Sequence, residues 1–132
     1  MQFDLELGLD TFGDVTFDEK GQPKPYAEVI RDVVEEAVLA DQVGVSGITL
    51  GEHHRDDFAI STPETVLAGI ATKTQNLRLA SGVTVLSSDD PIRVFQRFAT
   101  LDALSHGRAE IIVGRGSLTE SFPLFGYALN QY

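Results

Sequence analysis

Apolar and polar residues alternate strictly from Phe3 to Leu9: Phe3, Leu5, Leu7 and Leu9 are apolar, and Asp4, Glu6 and Gly8 separate them. A period of two predicts a β-strand with one buried face. Asp10 to Pro25 then breaks the periodicity with Gly13, Asp14, Asp18, Gly21, Pro23 and Pro25, the chemistry of a long loop. From Tyr26 the period lengthens, and Val29, Ile30, Val33, Val34, Ala37 and Val38 form the stripe of an amphipathic helix that Gly44 ends. Gly47 to Leu50 predicts a short strand running directly into Gly51-Glu52-His53-His54.

Ser61-Thr62-Pro63-Glu64 marks the next helix start, with Ser61 or Thr62 as N-cap, Pro63 in the first turn and Glu64 at the positive end of the dipole. Val66, Leu67, Ile70 and Ala71 supply its buried face and Asn76 closes it. Leu77 to Leu86 predicts a third strand. Asp89-Asp90-Pro91 opens a third helix carrying Val94, Phe95, Phe98, Leu101 and Leu104, with Gly107 as its stop. Ala109 to Val113 predicts a fourth strand, and the chain beyond Gly114-Arg115-Gly116 reads as irregular. Phe95, Phe98 and Phe122 read as core rather than as groups stacking on a cofactor.

The order is therefore βαβαβαβ, which requires parallel pairing and right-handed crossovers. This is an α/β protein, read as a single domain over residues 1–132. An open doubly wound sheet and a (β/α)-barrel both fit that order. At 132 residues the chain has about half the length of a typical eight-stranded barrel.

Composition narrows the function classes. The chain is 42% hydrophobic and 23% charged, as in an ordinary globular protein. Its apolar runs are short for a membrane span, and the N-terminus has no basic or apolar leader pattern, so a cytoplasmic location is expected. The absence of cysteine excludes disulfides, thiolate nucleophiles and sulfur-ligated metals. A net charge of −10 opposes binding to nucleic acid or to an anionic membrane, while leaving room for a small anionic ligand held by one local cation.

In parallel α/β folds, ligands bind beyond the carboxyl ends of the strands. Here those positions are Asp10-Thr11-Phe12-Gly13, Gly51-Glu52-His53-His54, Ser87-Ser88-Asp89-Asp90 and Gly114-Arg115-Gly116-Ser117. Adjacent histidines at a strand end point to opposite faces, so one of them aims into the pocket and no metal is expected. That histidine suits general acid or base work, with Glu52 or a backbone carbonyl orienting its ring; the alternative is that both are ordinary loop residues. Gly114, Arg115 and Ser117 offer flexible backbone, a guanidinium and a hydroxyl to a phosphate. Asp89-Asp90 reads as a helix cap rather than a metal site. A metal-dependent hydrolase is disfavoured because it needs alternating histidines on one strand face.

These residues together resemble the bacterial luciferase-like, flavin-dependent monooxygenases. The resemblance rests on Gly51-Glu52-His53-His54, Leu77 to Leu86, Asp90-Pro91-Ile92-Arg93, Leu101 to Arg108, Gly114-Arg115-Gly116 and Phe125-Gly126, in that order over nearly the whole chain. It implies a parallel (β/α) half-barrel, the N-terminal half of a TIM-barrel-type fold. It further implies reduced FMN or, alternatively, the deazaflavin F420 as cofactor. O2 and an organic substrate such as an aldehyde would react there, with a flavin reductase supplying the reduced cofactor. His53 would support the oxygenation step, with Glu52 beside it. Gly82 and Val83 would form a non-prolyl cis peptide under the flavin ring, and Gly114, Arg115 and Ser117 would line its phosphate and edge. The rival reading is a non-catalytic flavin-binding or assembly module. The open sheet of a half-barrel implies a homo-oligomer in which either the two half-barrels meet or the helical face does, the latter carrying Val66, Ile70, Phe95 and Phe98.

Overall fold

In the computed structural model, which describes residues 5–131, four parallel strands pair in the order β1-β2-β3-β4. The strands are β1 (Gly8–Thr11), β2 (Gly47–Leu50), β3 (Arg78–Val85) and β4 (Ala109–Gly114). They alternate with α1 (Tyr26–Val43), α2 (Pro63–Ala71) and α3 (Pro91–Ser105). Leu9, Ile48, Leu79 and Ala109 share one register row and face the helices, where Ile48 and Leu79 are fully buried. One core unites them with Val33 and Ala37 of α1, Leu67 and Ile70 of α2, and Val94, Phe98 and Leu101 of α3. All three helices thus cover the same side of the sheet. Among the described residues, no helix is long and apolar enough to cross a membrane.

Local chemistry sets several boundaries where the sequence places them. Gly44, at φ 84°, returns its N–H to the last turn of α1. Asp90 accepts from the N–H groups of Ile92 and Arg93 at 2.9 and 3.0 Å, and Pro91 fills the first helical position of α3.

Elsewhere tertiary contacts overrule local pattern. β1 begins at Gly8, not at Phe3; Phe3 and Asp4 lie outside the described residues, and Leu5 and Leu7 are exposed. The partner sets the extent: β2 runs only from Gly47 to Leu50, and before Gly8 the pairing continues through the Ser46 N–H, which donates to the Leu7 carbonyl at 2.9 Å. Thr62 occupies the N-cap of α2, but neither it nor Ser61 caps through its side chain. That helix ends at Ala71 instead of near Asn76. Asp41, from the end of α1, accepts from the N–H groups of Gln75, Asn76 and Leu77 at 2.9, 2.8 and 2.7 Å. From the other side, the Arg108 guanidinium donates to the carbonyls of Ala71, Thr74 and Leu77 at 3.0, 3.0 and 2.7 Å. Two distant charged groups thereby satisfy the polar backbone that a longer helix would have paired internally.

α3 closes through His106 in the left-handed region at φ 58°, one residue before Gly107. Phe95 is 70% exposed, which corrects its placement in the core, whereas Phe98 and Phe122 are buried. The covered stripe of α3 runs through Val94, Phe98, Leu101 and Ser105, and Phe95 lies a hundred degrees round from Val94. The segment after β4 is not irregular throughout. It forms a short helix, α4 (Ser121–Phe125), which Gly126 ends at φ 80°.

Candidate active site

Residues from all four strands or the chain that follows them converge on a cavity of about 330 Å³. The expected β3 exit does not reach it: Ser88, Asp89 and Asp90 line a neighbouring cleft with Glu52 and Arg97, and β3 contributes Gly82, Val83 and Val85 instead. Glu52, His53, Gly82, Val83, Gly114, Arg115 and Ser117 all line it, together with Phe12, His54, Glu120 and Ser121. Two loops build its first wall. The chain after β1 is tied to the loop after β2 by Val15 N–H to Asp57 at 2.9 Å and Ala59 N–H to Gly13 at 2.8 Å. This ladder sets the Phe12 ring against His53, stacked at 4.7 Å between centroids. Gly51 makes room for that ring, because a Cβ there would lie 2.1 Å from Phe12 Cε1. On β3, a Cβ at Gly82 would lie 2.1 Å from Thr49 Cγ2. The peptide bond between Gly82 and Val83 is cis, as the family resemblance implies.

His53 is held by an aromatic cluster and a carboxylate. Phe12 and Phe58 both pack against its ring, the latter at 4.8 Å and 5.7 Å from Phe12, and Nδ1 lies 3.0 Å from Glu120 Oε1. Burial pushes the Glu120 carboxyl up, but backbone N–H groups and His53 outweigh it and hold it below the usual carboxylate range. Glu52, expected to orient His53, does not do so: its Oε1 stands 3.8 Å from His54 Nε2 instead. Both histidines also line the cavity, against the expectation that only one would. Strict alternation holds only inside a strand, and β2 ends at Leu50.

His54 packs edge-on against Phe125, its centroid 5.1 Å away, and burial lowers its pKa. Its Nε2 and the hydroxyl of Ser121 are buried without a hydrogen-bond partner in the described structure. Both atoms belong to residues of the cavity wall but are themselves shut off from the open space.

Glu52 sits between this cavity and a cluster on its far side. Burial raises its carboxyl to about 7, helped by the like charges of Glu64 and Asp89 and opposed by Arg97. Arg97 bridges those two carboxylates, with Nε 3.1 Å from Glu64 and a shorter contact to Asp89. Glu64 is therefore more than a favourable charge at a helix start, and Asp89 is engaged beside the capping Asp90. Among the described residues, no three histidine, aspartate or glutamate side chains group to hold a metal. At the opposite rim, Ser87 donates its hydroxyl to the carbonyl of Arg115 at 2.9 Å and fixes the turn after β4.

Glu120 and Ser121 are the site residues that sequence reasoning missed. Their one local signal is position, since they follow a strand exit; the pairing of Glu120 with His53 spans 67 residues and leaves no periodic trace.

A sequence model of luciferase-like monooxygenases matches residues 11–132. The chain belongs to the luciferase-like monooxygenase family. It is 35% identical over 118 residues to the oxygenase component of a flavin-dependent trigonelline monooxygenase from Acinetobacter baylyi, covering 89% of this chain and 31% of that protein. Among solved structures it resembles the oxygenating constituent of 3,6-diketocamphane monooxygenase from Pseudomonas putida, a type II Baeyer–Villiger monooxygenase in complex with FMN. That likeness has a TM-score of 0.80 at 23% identity, over 92% of this chain and 32% of the other. An F420-dependent secondary alcohol dehydrogenase in complex with an F420–acetone adduct matches at a TM-score of 0.69 and 19% identity, over 94% and 36%. At these identities the two structures establish the fold: this luciferase-like chain forms part of a TIM-barrel-type architecture. It spans about a third of the length of the curated relatives it matches.

Proposed function

We propose that residues 1–132 form one (β/α) unit of a flavin-dependent monooxygenase, the unit that carries the flavin-facing strand exits. The observation that carries this reading is the convergence of residues from all four strands or the chain that follows them on a single cavity. Gly82 and Gly114 line it without side chains of their own, which leaves room for a flat ring. Gly82, Val83, Gly114, Arg115 and Ser117 would hold the cofactor, with the Arg115 guanidinium supplying positive charge to its anionic part. Reduced FMN, when bound, supplies the electrons by which O2 is divided between an organic substrate, such as an aldehyde, and water. His53 moves the proton, Glu52 holds a second proton near neutral pH, and Phe12 and Phe58 exclude water around the imidazole.

The flavin-dependent relative that is 35% identical favours FMN over F420. The oxygenase component among the relatives supports a flavin reductase as the supplier of reduced cofactor. Self-association is also proposed. Both sheet edges are open, and Ile111, Ile112 and Val113 of β4 are 44, 48 and 52% exposed. Of the helical-face residues, Ile70 and Phe98 are buried in the chain's own core and Phe95 stands clear, so the open sheet is the face proposed to meet a second copy.

The test is titration of the purified chain with FMN and with F420 followed by fluorescence, then oxygen uptake with reduced FMN and an aliphatic aldehyde. Saturable FMN quenching that Arg115→Ala weakens about tenfold is the expected result. Retention of flavin without oxygen uptake would favour the non-catalytic binding module. Absence of binding to either cofactor would overturn the reading.

A further inference from the structure

Glu120 stands at the start of α4, at the far rim from β2, yet its carboxylate reaches the residues that leave β2. It takes the His53 Nδ1 contact at 3.0 Å and accepts from the backbone N–H of His54 and from its own. Both partners are sheltered: the His53 side chain is 14% exposed and that of Glu120 23%. The imidazole sits in one aromatic cluster, stacked on Phe12 at 28° and packed against Phe58 at 39°, with the two phenyl rings 5.7 Å from each other, and its Nδ1 edge is turned to this carboxylate. An ionised carboxylate only accepts hydrogen bonds, so the nitrogen facing it must carry the hydrogen. Neutral imidazole carries one N–H, and its other nitrogen is then a lone-pair acceptor.

We infer that Glu120 is the positioning residue of the site: it fixes His53 as the Nδ1–H tautomer and leaves Nε2 as the proton acceptor. This assignment rests on the flavin-monooxygenase reading for its catalytic meaning, though not for its chemistry. When Nε2 takes up a proton, the imidazolium charge is met by the Glu120 carboxylate, so the segment after β4 governs an acid–base group on β2. Other charged or titratable groups near the pair are His54 and Glu52 on the same wall, Arg115 across the cavity, and Asp57 with its partner Arg55 in the loop after β2. None of them accepts from His53 in the described structure, whereas Glu120 does.

Nitrogen-15 NMR of the cofactor-free chain tests this directly. The chain has 3 histidines, and the His53 signals are assigned by their loss in His53→Phe. At pH 8 the expected pattern is a protonated Nδ1 with a downfield proton and an unprotonated Nε2. Glu120→Gln retains an acceptor oxygen, so it keeps this tautomer with the Hδ1 proton moved upfield. Glu120→Leu removes the acceptor and produces a mixture of tautomers. In the loaded enzyme, Glu120→Leu should lower oxygen uptake about ten- to a hundredfold, with FMN affinity changed less than about threefold and activity largely restored in Glu120→Gln. An Nε2–H tautomer in the unsubstituted chain overturns the inference, as does an Hδ1 proton unmoved in Glu120→Gln; the latter measurement decides even if Glu120→Leu fails to fold. If the tautomer behaves as expected but no flavin binds, the functional reading fails and the positioning role stands.

Discussion

Glu52 Oε1 and His54 Nε2 face each other across 3.8 Å, too far for a hydrogen bond, and that imidazole nitrogen has no such partner in the described structure. Burial acts on both in the direction that removes charge: it lowers the His54 pKa and raises that of Glu52 to about 7. Around neutral pH the wall of the cavity therefore holds a neutral imidazole beside a carboxyl near the midpoint of its titration. A sheltered carboxyl of this kind stores a proton next to the reacting space.

The first prediction concerns Glu52 and pH. Its folded-state pKa of about 7 lies above the ordinary value of 4.5, so the native state binds the extra proton between those values. Stability then falls as pH rises from 4.5 through 7, and the full penalty, on the order of 3 kcal/mol, is present above it. Glu52→Gln should unfold in urea like the unsubstituted chain at pH 4 and be more stable than it at pH 8. Equal stability at pH 8 would place the carboxyl in a wetter setting than the structure shows.

Asp41 provides a test of the α2–β3 junction. Its carboxyl is pushed up by partial burial, but the N–H groups of Gln75, Asn76 and Leu77 and the charge of Arg108 win and hold it low. Asp41→Ala should destabilise the chain by about 2–3 kcal/mol in denaturant unfolding at pH 7. The depressed pKa means that this stabilisation is present above the ordinary carboxylate value and is lost as pH falls through the lower folded value. The difference between the two proteins should therefore shrink in strong acid.

At β3, Gly82→Ala places a methyl group 2.1 Å from Thr49 Cγ2. The expected loss is about 1–3 kcal/mol, accompanied by weaker FMN binding. Thr49→Ser removes the opposing methyl and should restore part of both in the double variant, a coupling that a double-mutant cycle measures. Independent, additive effects would show that the clash is relieved elsewhere.

The two histidines should separate kinetically. His53→Ala is expected to lower oxygen uptake a hundredfold or more, about the worth of a positioned acid–base group, with little change in FMN affinity. His54→Ala should slow turnover less, because its ring packs against Phe125 and its Nε2 is shut off from the cavity. Equal kinetic losses in stopped-flow assays would count against the assignment to His53.

Light scattering at micromolar concentration should find a dimer or larger species, since an apolar open sheet edge favours self-association. Ile112→Lys, on the exposed β4 edge, should move the population toward monomer. A stable 14.4 kDa species in the unsubstituted chain would show that self-association is not needed to keep the open sheet in solution.

The sequence by itself determined whatever depends on neighbours a few positions away. The bounds of α1 and β2, the Asp90 cap and the parallel βαβ order were all legible, because helical periodicity, capping and crossover connection are local properties. The rim positions Glu52, His53, Gly114 and Arg115 could be named for the same reason, since strand exits follow from strand positions; Gly82, inside β3, and the cis bond before Val83 came only through the family resemblance. Tertiary structure alone decided the rest. The four-residue extent of β1 was set by its partner, and the early end of α2 by Asp41 and Arg108. The proton on Glu52 was set by burial, reinforced by Glu64 and Asp89 and opposed by Arg97, and the tautomer of His53 by a carboxylate 67 residues away. Electrostatic and hydrogen-bond partners act over a few ångströms of space at any separation along the chain. A periodic pattern records which face of an element is buried, but not which charged group will be waiting there.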